Sequence, residues 1–249
     1  MQAIEILWPV LILAFFLVGI HTIFGLEIIR RGVIFTDLAV GQIAAVGIAV
    51  STVFFAGEYQ LPLSLGFALA GALLIAYANR NSQHIEAFIG LLYALGASSV
   101  MIVLSSGSEG DELFKRLIAN DILFVTNTEI MIAAGVYAII VMLYTTIYPM
   151  LSGFVKEVFF FSLLSIMVTV SVPLAGVLVV FTLLIAPALV ALLQTRIKPL
   201  FFGWIYGWLF VASALALSYH YDWPTGYSIV FVGTLITLIS VLWLEKRQA

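Results

Sequence analysis

Nine long apolar segments fill most of this 249-residue chain and leave little over for a water-soluble domain. A helix needs about 20 apolar residues to cross a bilayer, because lipid offers no hydrogen-bond partner for backbone amides and carbonyls. Only 9% of the residues are charged, against roughly one quarter in soluble domains. The sequence therefore predicts an all-α, polytopic integral membrane protein, in which residues 1–249 form one transmembrane domain within the lipid bilayer. The segments cover residues 6–26, 33–56, 61–78, 87–105, 129–148, 158–172, 177–193, 200–219 and 227–244.

The boundary between the sixth and seventh segments is ambiguous. They adjoin at Val172-Pro173-Leu174-Ala175-Gly176. Proline removes an amide donor and glycine loosens a helix, so one broken helix and two helices joined by a tight turn both fit residues 158–194. The sequence therefore predicts a bundle of eight or nine transmembrane helices.

The basic residues indicate how the chain is oriented, because Lys and Arg collect in cytoplasmic loops. Eight of the ten fall in alternate loops and at the C-terminus, whereas Lys115 and Arg116 fall on the opposite side. This distribution predicts that the N-terminus lies outside and the C-terminus in the cytoplasm. The two exceptions lie within Glu109 to Asp121, a stretch that suits a short amphipathic helix at the membrane interface. The eight are Arg30, Arg31, Arg80, Lys156, Arg196, Lys198, Lys246 and Arg247.

The chain carries no signature of a soluble enzyme. It has no Gly-x-x-x-x-Gly-Lys loop for a nucleotide, no cysteine for thiolate chemistry and only three histidines. His21, His84 and His220 lack the i, i+4 spacing that binds zinc in hydrolases. We therefore predict a protein that is not an enzyme, binds no cofactor of its own and draws any energy from another chain. Nothing in the sequence points to nucleic acid.

Asp37 is an ionisable residue inside the second segment, where such residues are costly to bury and usually face a polar pathway. Gln42 follows five residues later, about 140° around a helix, so the two side chains could flank one cavity. Asp37 also follows Arg30 and Arg31 closely. The alternative is therefore that it pairs with one of these arginines or caps the start of the span.

His21 is predicted near the cytoplasmic third of the first span, where it could approach Asp37 if the two helices pack side by side. An imidazole and a carboxylate together suit zinc, manganese or ferrous iron. The alternative is a buried histidine satisfied by its neighbours. His84 and Glu86 lie at a helix start, where a carboxylate favours the helix dipole, so capping is predicted there.

His220 and Asp222 lie in a short outward loop without a basic residue nearby. They could meet a cation that arrives from outside. Asp222 with Pro224 and Gly226 also suits an ordinary tight turn, and Thr225 could cap the last helix. The sequence leaves both interpretations open.

Four stretches carry a family resemblance, in the expected order along almost the whole chain. Residues 30–37 are similar to a double-arginine turn that leads to an aspartate, and residues 86–94 to the opening of a fourth span. Residues 175–188 resemble the most recognisable stretch of the same family, and residues 222–226 its last outward loop. The family is the membrane permease subunit of bacterial ABC importers for zinc, manganese or iron.

The resemblance implies a homodimeric, all-helical channel in the bacterial cytoplasmic (inner) membrane that opens alternately to each side. An extracytoplasmic metal-binding protein would deliver the transported divalent metal ion, and a separate ABC ATPase subunit would use the ATP. In such permeases an Asp and a His one helical turn later coordinate the passing metal. Here Asp37 is present, Gly41 stands at the histidine position, and Gln42 or His21 would have to supply the second ligand.

The family also has a longer cytoplasmic loop between the fifth and sixth spans, with a short helix that docks on the ATPase. Here only residues 150–157 connect these spans, so the resemblance assigns the ATPase contact to Gly153, Lys156 and Glu157. The short loop and the missing histidine both favour an alternative function. The chain would then be a permease-derived structural subunit of a larger membrane complex, no longer coupled to ATP hydrolysis.

Overall fold

The computed structural model describes residues 2–106, 122–194 and 196–248, and these ranges are helical apart from short connections. They contain nine α-helices and no strand, which confirms the predicted all-α fold. Eight of these helices are long and apolar enough to cross a membrane. The interface helix predicted at Glu109 to Asp121 lies outside the described residues. The helices are α1 Gln2–Arg31, α2 Thr36–Phe55, α3 Gln60–Asn81, α4 Ile85–Ser105, α5 Asn127–Thr146, α6 Gly153–Ala175, α7 Val177–Leu193, α8 Pro199–Tyr221 and α9 Thr225–Gln248.

Residues 158–194 form two helices rather than one broken helix. Gly176 alone separates α6 from α7, and its φ of 85° lies in the left-handed region that favours glycine. Pro173 lies in the last turn of α6, where it lacks the N–H that would bond to the carbonyl four residues earlier, close to the point at which the helix ends. The single glycine therefore decides the ambiguity that the sequence left open.

The described residues group into two compact units, of which the first contains α1, α5 as far as Tyr137, and α7 to α9. Within it, α7 and α8 each pack against both α1 and α9. Glycines allow a close approach, because a Cβ at Gly203 would lie 2.6 Å from Cγ2 of Thr22, and one at Gly207 would lie 2.6 Å from Cγ1 of Val18. This spacing of small residues is typical of helix contacts in membranes.

The second unit contains α2 to α4, α5 from Ala138, and α6 through Pro173. Its central helix is α2, which packs against both α3 and α4. A Cβ at Gly96 in α4 would lie 2.9 Å from Cβ of Gln42, so a glycine is needed where these helices meet. The close contact brings the start of α4 near the start of α2. An apolar cluster shared by α2 and α4 consists of Val46, Ala49, Val100 and Leu104.

Candidate cation site at the start of α2

A tight turn over Val33 to Thr36 leads into α2. The backbone N–H and the side-chain hydroxyl of Thr36 both donate to the Val33 carbonyl, at 3.2 and 2.7 Å. Phe35 precedes the first helical residue and makes no side-chain capping bond. Asp37 therefore lies in the first turn of α2, where the helix dipole favours a negative charge.

The Asp37 carboxylate is buried without a partner. The residue is only 2% exposed, and neither carboxylate oxygen has a hydrogen-bond partner among the residues that the structure describes. Arg31 instead forms a salt bridge of 3.0 Å with Glu27 in its own helix, and Arg30 is exposed. No arginine among the described residues therefore hydrogen-bonds to Asp37. A buried charge left unpaired lowers the free energy of unfolding by several kcal/mol, so stability does not explain why a carboxylate stands at this position.

A second carboxylate reaches the same turn from α4. Glu86 Oε1 accepts a hydrogen bond of 2.6 Å from the backbone N–H of Ile34, a residue 52 positions earlier in the chain. Glu86 Oε2 is buried and has no hydrogen-bond partner within the described ranges. The predicted capping at this helix start is wrong for His84, which makes no side-chain cap. Sequence reasoning missed the reach of Glu86, although a carboxylate just inside a span was the available signal.

The surroundings of Gly41 and Gln42 are less polar than those of the turn. Gln42 is half-buried beside α4. A Cβ at Gly41 would contact Cγ1 of Val168 at 3.7 Å and Cγ2 of Val172 at 3.8 Å, so apolar groups stand at the position of the family histidine. In the described part of the chain, no group of three or more His, Cys, Asp or Glu side chains could hold a metal.

His21 belongs to the first unit and is fully buried in α1. Its Nδ1 lies 2.8 Å from the carbonyl oxygen of Leu17. Because a carbonyl only accepts, Nδ1 carries the proton, and Nε2 of the neutral ring keeps its lone pair. Nε2 is buried and has no hydrogen-bond partner among the described residues. The interpretation as a satisfied histidine thus holds for one ring nitrogen only.

His220 and Asp222 lie exposed in the turn between α8 and α9. Asp222 adopts the left-handed conformation with φ 56°, which Asp tolerates better than most residues. The backbone N–H of Trp223 donates to the Ser218 carbonyl at 3.0 Å, and the Ser218 hydroxyl donates to the Trp223 carbonyl at 2.8 Å. A tight turn is therefore present at Asp222, but it closes onto Ser218 at the end of α8, and Gly226, which the predicted turn included, lies in α9. Among the described residues, no third His, Cys, Asp or Glu completes a metal-binding group with this pair.

The residues assigned to an ATPase contact lie at the start of α6, in the second unit. Gly153 is exposed and has φ 58°. The Lys156 ammonium lies 4.6 Å from the centre of the Tyr148 ring, and Glu157 accepts a hydrogen bond of 3.0 Å from Asn79 Nδ2. The connection before α6 contains only one short 3₁₀ turn, at Tyr148–Met150. Lys156 and Glu157 therefore already have partners within their own unit.

Comparison with known proteins shows what the chain is similar to. Residues 151–244 match the family model described as the ABC 3 transport family. The Manganese transport system membrane protein MntC of Listeria monocytogenes is 26% identical, over 90% of this chain and 86% of that protein. The MntC of Listeria innocua is 25% identical with the same coverage. The resemblance to the metal-importer permeases is confirmed.

The same fold is also found in a solved structure. That of PsaBC from Streptococcus pneumoniae in complex with Fab aligns with a TM-score of 0.76 and 23% identity, and covers 96% of this chain and 94% of that chain. With eight helices able to span a bilayer, the described residues have the architecture of a multi-pass membrane protein. The fold shared with that structure extends over nearly the whole chain and includes the four stretches identified in the sequence.

Proposed function

We propose that this chain is the permease subunit of an ATP-driven importer for a divalent transition metal in the bacterial cytoplasmic membrane. Asp37 carries the proposal, because it is 2% exposed and its carboxylate has no hydrogen-bond partner in the described part of the chain. Unpaired ionisable groups inside a span are expensive and usually mark a transport pathway. A carboxylate without protein partners is free to bind and release a passing cation.

Manganese is the proposed cargo among zinc, manganese and iron. Carboxylate and amide oxygens suit Mn²⁺, and Asp37 with Gln42 offers both. The relatives named for manganese transport support the same choice. His21 is proposed as a separate ligand along the path, because its Nε2 is buried and has no hydrogen-bond partner among the described residues. His220 and Asp222 are proposed to meet the cation at the outer surface, where both side chains are exposed.

The proposed partners are an ABC ATPase subunit, an extracytoplasmic metal-binding protein and a second copy of this chain. The match to the ABC 3 transport family supports the ATPase partner. Gly153 is the exposed member of the proposed ATPase contact, since Lys156 and Glu157 have partners inside the second unit. The exposed end of α6 therefore remains the proposed docking point for the motor.

The direct test is ATP-dependent uptake of radioactive Mn²⁺ by proteoliposomes that contain the permease purified with its ATPase. Uptake should require ATP and be competed by excess unlabelled Mn²⁺. Proteoliposomes with an ATPase variant unable to hydrolyse ATP provide the control. No ATP-dependent uptake of manganese, zinc or iron by the intact assembly would contradict the proposal.

A structural role in a larger membrane complex is the second candidate, favoured by the short connection before α6. Only residues 147–152 separate α5 from α6. Purification of the native assembly in mild detergent, followed by mass-spectrometric identification of its chains, distinguishes the two functions. A bound nucleotide-binding subunit supports import, whereas unrelated membrane proteins without an ATPase support the structural role.

The proposed orientation has a simple test because the chain contains no cysteine. His84 and His220 are both exposed, in connections predicted to face opposite sides of the membrane. A membrane-impermeant maleimide should label His220→Cys in intact spheroplasts, but His84→Cys only after permeabilisation. The reverse pattern would invert the topology, and the unaltered chain serves as the unlabelled control.

A further inference from the structure

We infer that Glu86 is a second protein ligand for the cation that passes Asp37, so that two carboxylates from α2 and α4 select a hard divalent cation. The inference rests on the proposed function and deepens it, since it adds a residue to the path and names the class of cargo. It concerns only residues of the second unit.

The first step is the position of Glu86 relative to Asp37. Glu86 Oε1 lies 2.6 Å from the backbone nitrogen of Ile34. Ile34 is part of the turn that Thr36 closes onto the Val33 carbonyl. The ends of such a turn lie within about 7 Å of each other. Because Asp37 follows directly after the turn, this hydrogen bond brings the Glu86 carboxylate to the turn from which Asp37 extends.

The second step is that three oxygens of the two carboxylates lack hydrogen-bond partners in the described part of the chain. Both oxygens of Asp37 and Oε2 of Glu86 are buried without a hydrogen-bond partner among the residues described. Two like charges in one weakly solvated place repel each other, and each also loses its hydration. One divalent cation has the charge that neutralises both. Oε1 of Glu86 already holds the turn, which leaves Oε2 to reach the cation.

The third step is the identity of the donors. Gly41 brings no imidazole, and the position beside it is occupied by methyl groups of Val168 and Val172. The buried, unpartnered carboxylate oxygens at this turn, among the described residues, are those of Asp37 and Glu86, and the Gln42 amide lies farther along α2. Oxygen donors suit Mn²⁺, whereas zinc is held mainly by nitrogen and sulfur. The site thus favours a hard cation.

The test is Mn²⁺ binding to the purified permease–ATPase assembly with Glu86→Gln. Glutamine keeps a carbonyl oxygen for the Ile34 N–H but removes the second carboxylate oxygen. We expect Mn²⁺ affinity to fall at least about tenfold, because even loss of an outer-shell partner has this effect. Affinity for Zn²⁺ should fall less, and the melting temperature without metal should stay near that of the unaltered protein. Glu129→Gln, which changes another carboxylate at a helix start, is the matched control and should bind Mn²⁺ normally.

The outcomes separate this inference from the proposed function. If Glu86→Gln binds and transports Mn²⁺ like the unaltered protein while Asp37→Asn does not, the role of Glu86 is overturned and import stands. If the unaltered assembly neither binds nor transports Mn²⁺, the proposed cargo fails with it. A lower melting temperature with unchanged Mn²⁺ affinity would make Glu86 purely structural.

A second measurement avoids any substitution, in case Glu86→Gln does not fold. Infrared difference spectra of the assembly, with ¹³C-carboxyl glutamate incorporated, report glutamate carboxylates separately from aspartate. One equivalent of Mn²⁺ should shift a labelled glutamate band in the unaltered protein. A spectrum in which only unlabelled carboxylate bands move would overturn the inference.

Discussion

The starts of α2 and α5 both carry acidic side chains, but the two starts differ in how those side chains are used. At α5, Glu129 Oε2 accepts hydrogen bonds from the backbone N–H and the hydroxyl of Thr126, at 2.9 and 2.7 Å, in an exposed capping box. At α2, the Asp37 carboxylate is buried and unpartnered in the described structure. Glu129 is explained by helix stability alone, whereas Asp37 is not.

The comparison gives a criterion for distinguishing structural from functional acids in a membrane bundle. Helix dipole and sequence position are similar at Asp37 and Glu129, so neither separates them. What differs is whether the oxygens are satisfied by the protein itself. An exposed, satisfied carboxylate stabilises its helix, while a buried, unsatisfied one lowers stability unless a ligand is bound.

The largest expected effect is the loss of transport when the α2 acid is neutralised. Asp37→Asn keeps the shape of the side chain and removes the charge that attracts the cation. ATP-dependent Mn²⁺ uptake into proteoliposomes should be abolished, whereas Glu129→Gln should transport normally. Equal loss in both variants would mean that the contrast between the two helix starts has no functional meaning.

The next effect is on the stability of the metal-free protein, which Asp37→Asn should increase although it abolishes transport. Without metal, Asp37→Asn should raise the free energy of unfolding by about 1 kcal/mol or more, because it removes an unsatisfied buried charge. Thermal melts of the purified protein in metal-free buffer measure the change. A lower melting temperature would reveal a partner for Asp37 outside the described residues and would weaken the comparison.

The third effect is confined to stability at the α5 start. Glu129→Ala removes the acceptor of the capping box, and loss of such caps costs about 1 kcal/mol. The melting temperature should fall while Mn²⁺ uptake per folded molecule stays unchanged. Thr126→Ala, which removes the other half of the box, should behave in the same way. Impaired uptake by folded protein would give Glu129 a role that its geometry does not suggest.

The smallest effect is expected at Gly41, the family's histidine position. A Cβ there would make ordinary contacts of 3.7 and 3.8 Å with Val168 and Val172, so Gly41→Ala should leave Mn²⁺ uptake unchanged and should not lower the melting temperature. Gly96→Ala is the contrasting variant, since its Cβ would lie 2.9 Å from Gln42 and should lower the melting temperature. A large loss of uptake in Gly41→Ala would restore this position to the metal site.

The sequence predicted the spans and Asp37 because both depend on local composition. Apolar length reports a helix in lipid directly, and a charge inside such a helix is conspicuous. The hydrogen bond from Ile34 to Glu86 could not be predicted, since it depends on how closely α2 and α4 pack at Gly96. The free Nε2 of His21 also required the structure, because only the contact with Leu17 assigns the proton to the other nitrogen. The sequence places a possible helix break at Gly176, but only the positive φ of this residue decides between one broken helix and two helices joined by a turn.

The shortness of α7 has a consequence for how the protein responds to its lipid. Its 17 residues extend about 26 Å, less than the roughly 30 Å hydrocarbon thickness of a typical bilayer. Yet α7 is largely buried by α1, α8 and α9, so protein rather than lipid surrounds most of it. The length of α7 therefore does not have to match the hydrocarbon thickness of the bilayer. In thicker or thinner membranes, helices that face lipid tilt or change the local bilayer thickness. The position of α7 is set instead by its contacts with α1, α8 and α9.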